Sequence, residues 1–99
     1  MITLVQVPHY VALLKHYGSK PTITKWLKND GESVEEGQPL LVVETSKTAL
    51  EIVAMASGSL FIMKKVGDKV FIGDTLGIIA KSRAELKEFK AQLQNYPIH

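Results

Sequence analysis

The sequence predicts an all-β fold, a sandwich or small barrel of two related halves, closed by one short C-terminal helix. Three observations predict it. Short apolar runs rich in Val, Ile, Leu and Thr recur between glycine and proline signals, the pattern of short antiparallel strands. An internal repeat places Lys28, Gly31, Val34, Gly37 and Leu40 over Lys64, Gly67, Val70, Gly73 and Leu76, a constant offset of 36. After residue 82 the apolar spacing becomes helical, with Leu86, Phe89 and Leu93 in register.

Each repeat reads as a strand, a turn bounded by two glycines around one valine, and a second strand. Glycine suits the positive-φ backbone of such turns. Neither half could bury its apolar face alone, so the two are expected to cover each other about a pseudo-twofold axis. In chain order, residues 2–8 form a strand ending at Pro8. Residues 9–20 form a connection with helical character around Val11, Leu13 and Leu14. Strands follow at about 22–28, 39–45, 48–54, 58–64 and 75–80. Ser82 and Glu85 fit a capping box that opens the helix, and Asn95 and Pro97 close it.

Ninety-nine residues make one domain, too small to hold a separate catalytic domain beside this core. The formal charge of +2 is small and the charges are interleaved, which argues against a nucleic-acid interface. No apolar run reaches membrane-span length, and residues 1–5 lack the pattern of a signal peptide. The absence of cysteine excludes thiolate metal sites, disulfides and a cysteine nucleophile, and points to the cytoplasm. His9, His16 and His99 share no metal-ligand spacing, so no metal site is expected. No Ser-His-Asp order, phosphate loop or carboxylate pair stands out, so no catalytic residue is assigned. Trp26 is expected at or near the core, and the acidic run Asp30 to Glu36 on a solvated loop face.

The most informative stretch runs from Leu40 to Val53. If Ser46 and Lys47 form the turn, Val43 faces Leu50 and Leu41 faces Ile52, four apolar side chains on one face. Glu44 faces Ala49 on the other, and a one-residue slip would expose the apolar set. Lys47 then stands at the tip, pointing away from the core. No Asn-Gly or Asp-Gly pair is present, but a type I turn accepts Ser46 and Lys47.

Glu44-Thr45-Ser46-Lys47-Thr48-Ala49 resembles the Glu-Thr-Asp-Lys-Ala signature of lipoyl domains, the carrier modules of 2-oxo acid dehydrogenase acyltransferases. The similarity extends through Trp26-Leu27-Lys28, Gly31, Val34, Gly37, Pro39-Leu40, Gly58, Gly67, Val70, Gly73 and Ile78-Ile79. It covers residues 21–82 well and residues 2–8 loosely. The resemblance implies a flattened barrel of two four-stranded sheets, a barrel-sandwich hybrid, with the chain ends opposite the lysine hairpin. It implies a lipoyl carrier domain over residues 1–82 and a helical tail or linker start over 83–99. It implies covalent lipoate on Lys47, attached by a lipoate ligase or lipoyl transferase guided by Glu44 and Gly31, with Thr45, Ser46, Thr48 and Ala49 completing the recognised motif. Its further partners would be a thiamine-dependent 2-oxo acid decarboxylase, an acyltransferase core and dihydrolipoamide dehydrogenase. The domain itself is expected to be monomeric.

Three departures stand out. Ser46 replaces the usual aspartate, Met55 the usual proline, and residues 9–17 an acidic, glycine-containing loop. In the family that loop helps partners recognise the domain, so the partner's identity stays open. Two other readings compete. A biotinyl carboxyl-carrier domain shares the fold but flanks its lysine with methionines, where Ser46 and Thr48 stand. An unmodified interaction or scaffold module would keep the barrel without the arm.

Overall fold

The computed structural model describes residues 2–8 and 21–95. Seven strands occupy Ile2–Gln6 (β1), Thr22–Trp26 (β2), Ser33–Val34 (β3), Pro39–Glu44 (β4), Ala49–Val53 (β5), Gly58–Ile62 (β6) and Thr75–Ala80 (β7). One helix, α1, spans Arg83–Asn95. All strand pairs are antiparallel and form two sheets, ordered β1-β7-β6-β3 and β2-β4-β5. The expected connection over residues 9–20 lies outside the described residues.

The second sheet has three strands, not the expected four, and the two sheets pack as a sandwich rather than a closed barrel. The reason is visible in the repeat. Ser33-Val34 forms the short β3 against Ser59 and Gly58. Its counterpart, Lys69-Val70, makes one isolated bridge, between Lys69 and Thr22. The fourth strand is therefore present in position but reduced to one pairing.

The repeat is reproduced bond by bond. Gly31 donates its amide to Leu60 as Gly67 does to Ile23, both at 2.7 Å. Gly37 donates to Ala54 as Gly73 does to Val7. The Glu32 carboxylate accepts the Asn29 amide, and the Asp68 carboxylate accepts that of Lys65, each at 2.8 Å. Glu32 and Asp30, which also accepts the Ile62 amide, thus hold backbone in place as well as facing solvent. These bonds also equate β1 with β5, which share no sequence likeness. The start of the chain completes one sheet as the lysine hairpin completes the other.

The core follows the same symmetry. Val34 and Val70, Leu40 and Leu76, Val43 and Ile79, Ile23 and Leu60 are all buried. Trp26 is half-buried against this core, with its indole N–H donating to the Lys64 carbonyl at 2.9 Å. At the helix, Ser82 Oγ accepts the Glu85 amide, as a cap should, while Glu85 reaches back to the Lys81 amide. Leu86 and Phe89 are half-buried, and the Lys90 ammonium lies 4.4 Å from the Phe61 ring centre.

Candidate functional site

The β4–β5 hairpin has the register its apolar pattern demands: Leu41 opposite Ile52, Val43 opposite Leu50, Glu44 opposite Ala49. Leu41, Val43 and Ile52 are buried and Leu50 packs against them. That anchors both strands from below. Glu44, Ser46, Lys47 and Ala49 are exposed, and Thr45 and Thr48 are half-buried. Neither Ser46 nor Lys47 has a positive φ, which excludes the primed turns and fits the type I turn.

Thr45 ties the turn together. Its amide donates to the Thr48 carbonyl at 2.8 Å. Its hydroxyl oxygen accepts the amides of Lys47 at 3.2 Å and Thr48 at 3.1 Å, and donates to the Thr48 carbonyl at 3.4 Å. A side chain that bonds backbone two and three residues ahead is an ST-turn. In sequence Thr45 stands only within the recognised motif, whereas the structure makes it the side chain that bonds the turn's backbone. The signal that was available was a threonine at the first position of a four-residue turn lacking glycine.

Gly31 is not brought to Lys47. It lies in the β2–β3 turn, exposed, with φ +85° and its amide on Leu60. The turn tracks along β6 away from the tip, and Gly31 borders a cleft lined by Ser59, Arg83, Leu86, Lys87 and Lys90 beside α1. Thr22, by contrast, pairs with Glu44 at the hairpin end of β2. A positive φ explains the glycine locally. The described residues contain no cluster able to hold a metal ion. Among the described residues no helix is long and apolar enough to cross a membrane.

The hairpin thus offers one primary amine on a short turn whose base is hydrogen-bonded and whose strands are anchored in the core. Such an arrangement can present an acylated lysine to other active sites. The biotin/lipoyl family, described as "Biotin-requiring enzyme", matches residues 13–79. The chain belongs to this family. Among solved structures, this lipoyl domain resembles the lipoyl domain of the 2-oxoglutarate dehydrogenase complex from Azotobacter vinelandii, at 32% identity and a TM-score of 0.56, over 65% of this chain and 82% of that one. It is 41% identical to the succinyltransferase component of the 2-oxoglutarate dehydrogenase complex of Bacillus subtilis, over 68% of this chain and 16% of that protein. It is 31% identical to the acetyltransferase component of the pyruvate dehydrogenase complex of Acholeplasma laidlawii, over 78% of this chain and 14% of that one. The lipoyl domain therefore spans about a sixth of the length of these relatives.

Proposed function

We propose that Lys47 carries covalent lipoate and serves as a swinging arm in a 2-oxo acid dehydrogenase-type complex. The observation that supports this most is the exposed Lys47 at the tip of a hairpin held by Thr45 and by the buried Leu41, Val43 and Ile52. In the attachment step the deprotonated ε-amine attacks an activated lipoyl carboxyl. An amide forms, the activating group leaves with its bonding electrons, and the amine's second proton goes to solvent. When attached, the dithiolane supplies acyl transfer and two-electron redox chemistry at the end of a flexible tether.

The protein's own contribution is mechanical. A rigid turn fixes the tether's root, so the arm's mobility is not diluted by motion of its base. Tethering replaces a bimolecular encounter by an intramolecular one, with an effective concentration on the order of millimolar for a short flexible link. The partners would be an attaching ligase or transferase, a thiamine-dependent decarboxylase, an acyltransferase core and dihydrolipoamide dehydrogenase. Biotin is the second reading, because the matched family is described by biotin-requiring enzymes. Ser46 and Thr48 stand where that group's methionines would flank the lysine.

Intact mass after incubation with a lipoate ligase, lipoate and ATP tests the assignment. A single lipoyl increment, absent from Lys47→Ala at unchanged melting temperature, is the expected result. A biotin increment with a biotin ligase would select the second reading. A folded domain that accepts neither group would point to the unmodified scaffold.

A further inference from the structure

The hairpin end of the three-stranded sheet carries a row of side chains from four separate stretches of chain. Ala49 pairs with Glu44, Glu44 with Thr22, and Thr22 bridges to Lys69. Residues paired directly across a sheet point to the same face, and their sequence neighbours to the other. Those neighbours, Leu50, Val43, Ile23 and Val70, all belong to the core or pack on it. The row therefore faces outward: Ala49, Glu44 and Lys69 are exposed and Thr22 is half-buried. Strands lie about 4.8 Å apart, so Glu44 and Lys69 stand about 10 Å from each other across Thr22. That is the separation of their backbones, and among the described residues neither side chain forms an ion pair.

The pseudo-twofold axis supplies an internal comparison. The matching row at the other end is Ile2, Ala80, Ser59 and Ser33, paired in the same order. It carries no charge. The fold thus builds this row without ionised groups, and the charges occur only at the end that bears Lys47.

We propose that the Ala49–Glu44–Thr22–Lys69 row is the docking face for the enzyme that acylates Lys47, and that Lys69 is a specificity-determining residue of that face. The proposal rests on Lys47 being the acylated lysine. Continuity carries it: Lys47 sits on the turn joining the two strands that begin the row. An active site that closes over the lysine covers Glu44 and Ala49 and extends over the adjoining strand to Lys69. The occupant is defined by charge. It presents a cation to Glu44 and, about 10 Å further on, an anion to Lys69. A minus-to-plus order also selects direction, because an enzyme approaching the other way round brings like charges together. Lys69 comes from the second repeat, so the recognised surface is assembled by the fold and not by the motif around Lys47.

The test measures kcat/KM for acylation of the intact chain by a purified lipoate ligase with lipoate and ATP. Lys69→Glu is expected to lower it about five- to tenfold at low salt, through KM, with the difference shrinking as ionic strength rises. Lys69→Arg should retain the wild-type rate. Lys65→Glu makes the same charge change on the exposed preceding turn and should have no effect. Thermal melting of each variant checks the fold. Wild-type rates for Lys69→Glu, or equal losses for Lys69→Glu and Lys65→Glu, would overturn the docking face while leaving Lys47 as the acylated lysine. A wild-type chain that is never acylated brings down the lysine assignment and the docking face together.

Discussion

At the residue scale, Thr45 and Lys47 divide the work of the tip. Lys47 supplies the amine, and Thr45 supplies the backbone bonds that hold the amine's own residue in place. Replacing Thr45 by Val keeps the β-branched shape and removes the hydroxyl. The two amides then turn to water, so the stability loss should be modest, about 1 kcal/mol. The loss of acylation rate should be larger in proportion, because the turn no longer fixes where Lys47 points. Thr45→Ser should restore both. Amide chemical shifts of Lys47 and Thr48, with ligase rates on the same samples, check this; an unchanged rate in Thr45→Val would remove the positioning role. The hairpin was legible in sequence because burial on one face enforces its register. The role of Thr45 was not, since a threonine beside a turn reads equally as a strand residue.

At the element scale, Gly58 and Gly31 have different reasons to be glycine. A Cβ on Gly58, in β6, would run into the Ala80 carbonyl oxygen and meet Ile79 Cγ2 at 2.9 Å. A Cβ on Gly31 would meet nothing within 4 Å, and only its φ of +85° opposes a side chain. Gly58→Ala should therefore cost roughly 2 kcal/mol or more, as overpacking does against backbone that cannot retreat. Gly31→Ala should cost about 1 kcal/mol, the penalty of a left-handed conformation. Urea unfolding of the two variants compares them, and equal midpoints would contradict the account. Gly31 stands out in sequence as a turn glycine and Gly58 as the first residue of a strand, but the close approach of Gly58 to β7 depends on a pairing between distant segments. The reduction of the fourth strand to one bridge at Lys69 has the same origin. Local patterns show where strands can form, whereas the number of residues that pair is set by the neighbour.

At the scale of the whole molecule, the pseudo-twofold axis makes a quantitative claim. Leu40 and Leu76 occupy equivalent, fully buried positions in the two halves. Leu40→Ala and Leu76→Ala should each cost about 2–5 kcal/mol, and by similar amounts, because each leaves a cavity in one shared core. Denaturant unfolding of both variants checks this, and a large loss in one with little in the other would mean that the halves are not energetically matched. Lys47 and the charged row then belong to one end of a single cooperative body, and Gly31 and α1 to the other.

The amino-acid sequence alone was enough for the all-β class, the two-half organisation, the hairpin register, the exposed lysine and the helix start at Ser82. All of these follow from spacing along the chain: period-two burial, glycine at fixed offsets, and a local cap. Only the tertiary structure decided that β1 plays the part of β5, that the sheets have four and three strands, that Gly31 lies away from Lys47, and that Lys69 lines up with Glu44. Each of these depends on which segments meet across the core, and that is settled by the joint packing of both halves rather than by any one stretch of chain.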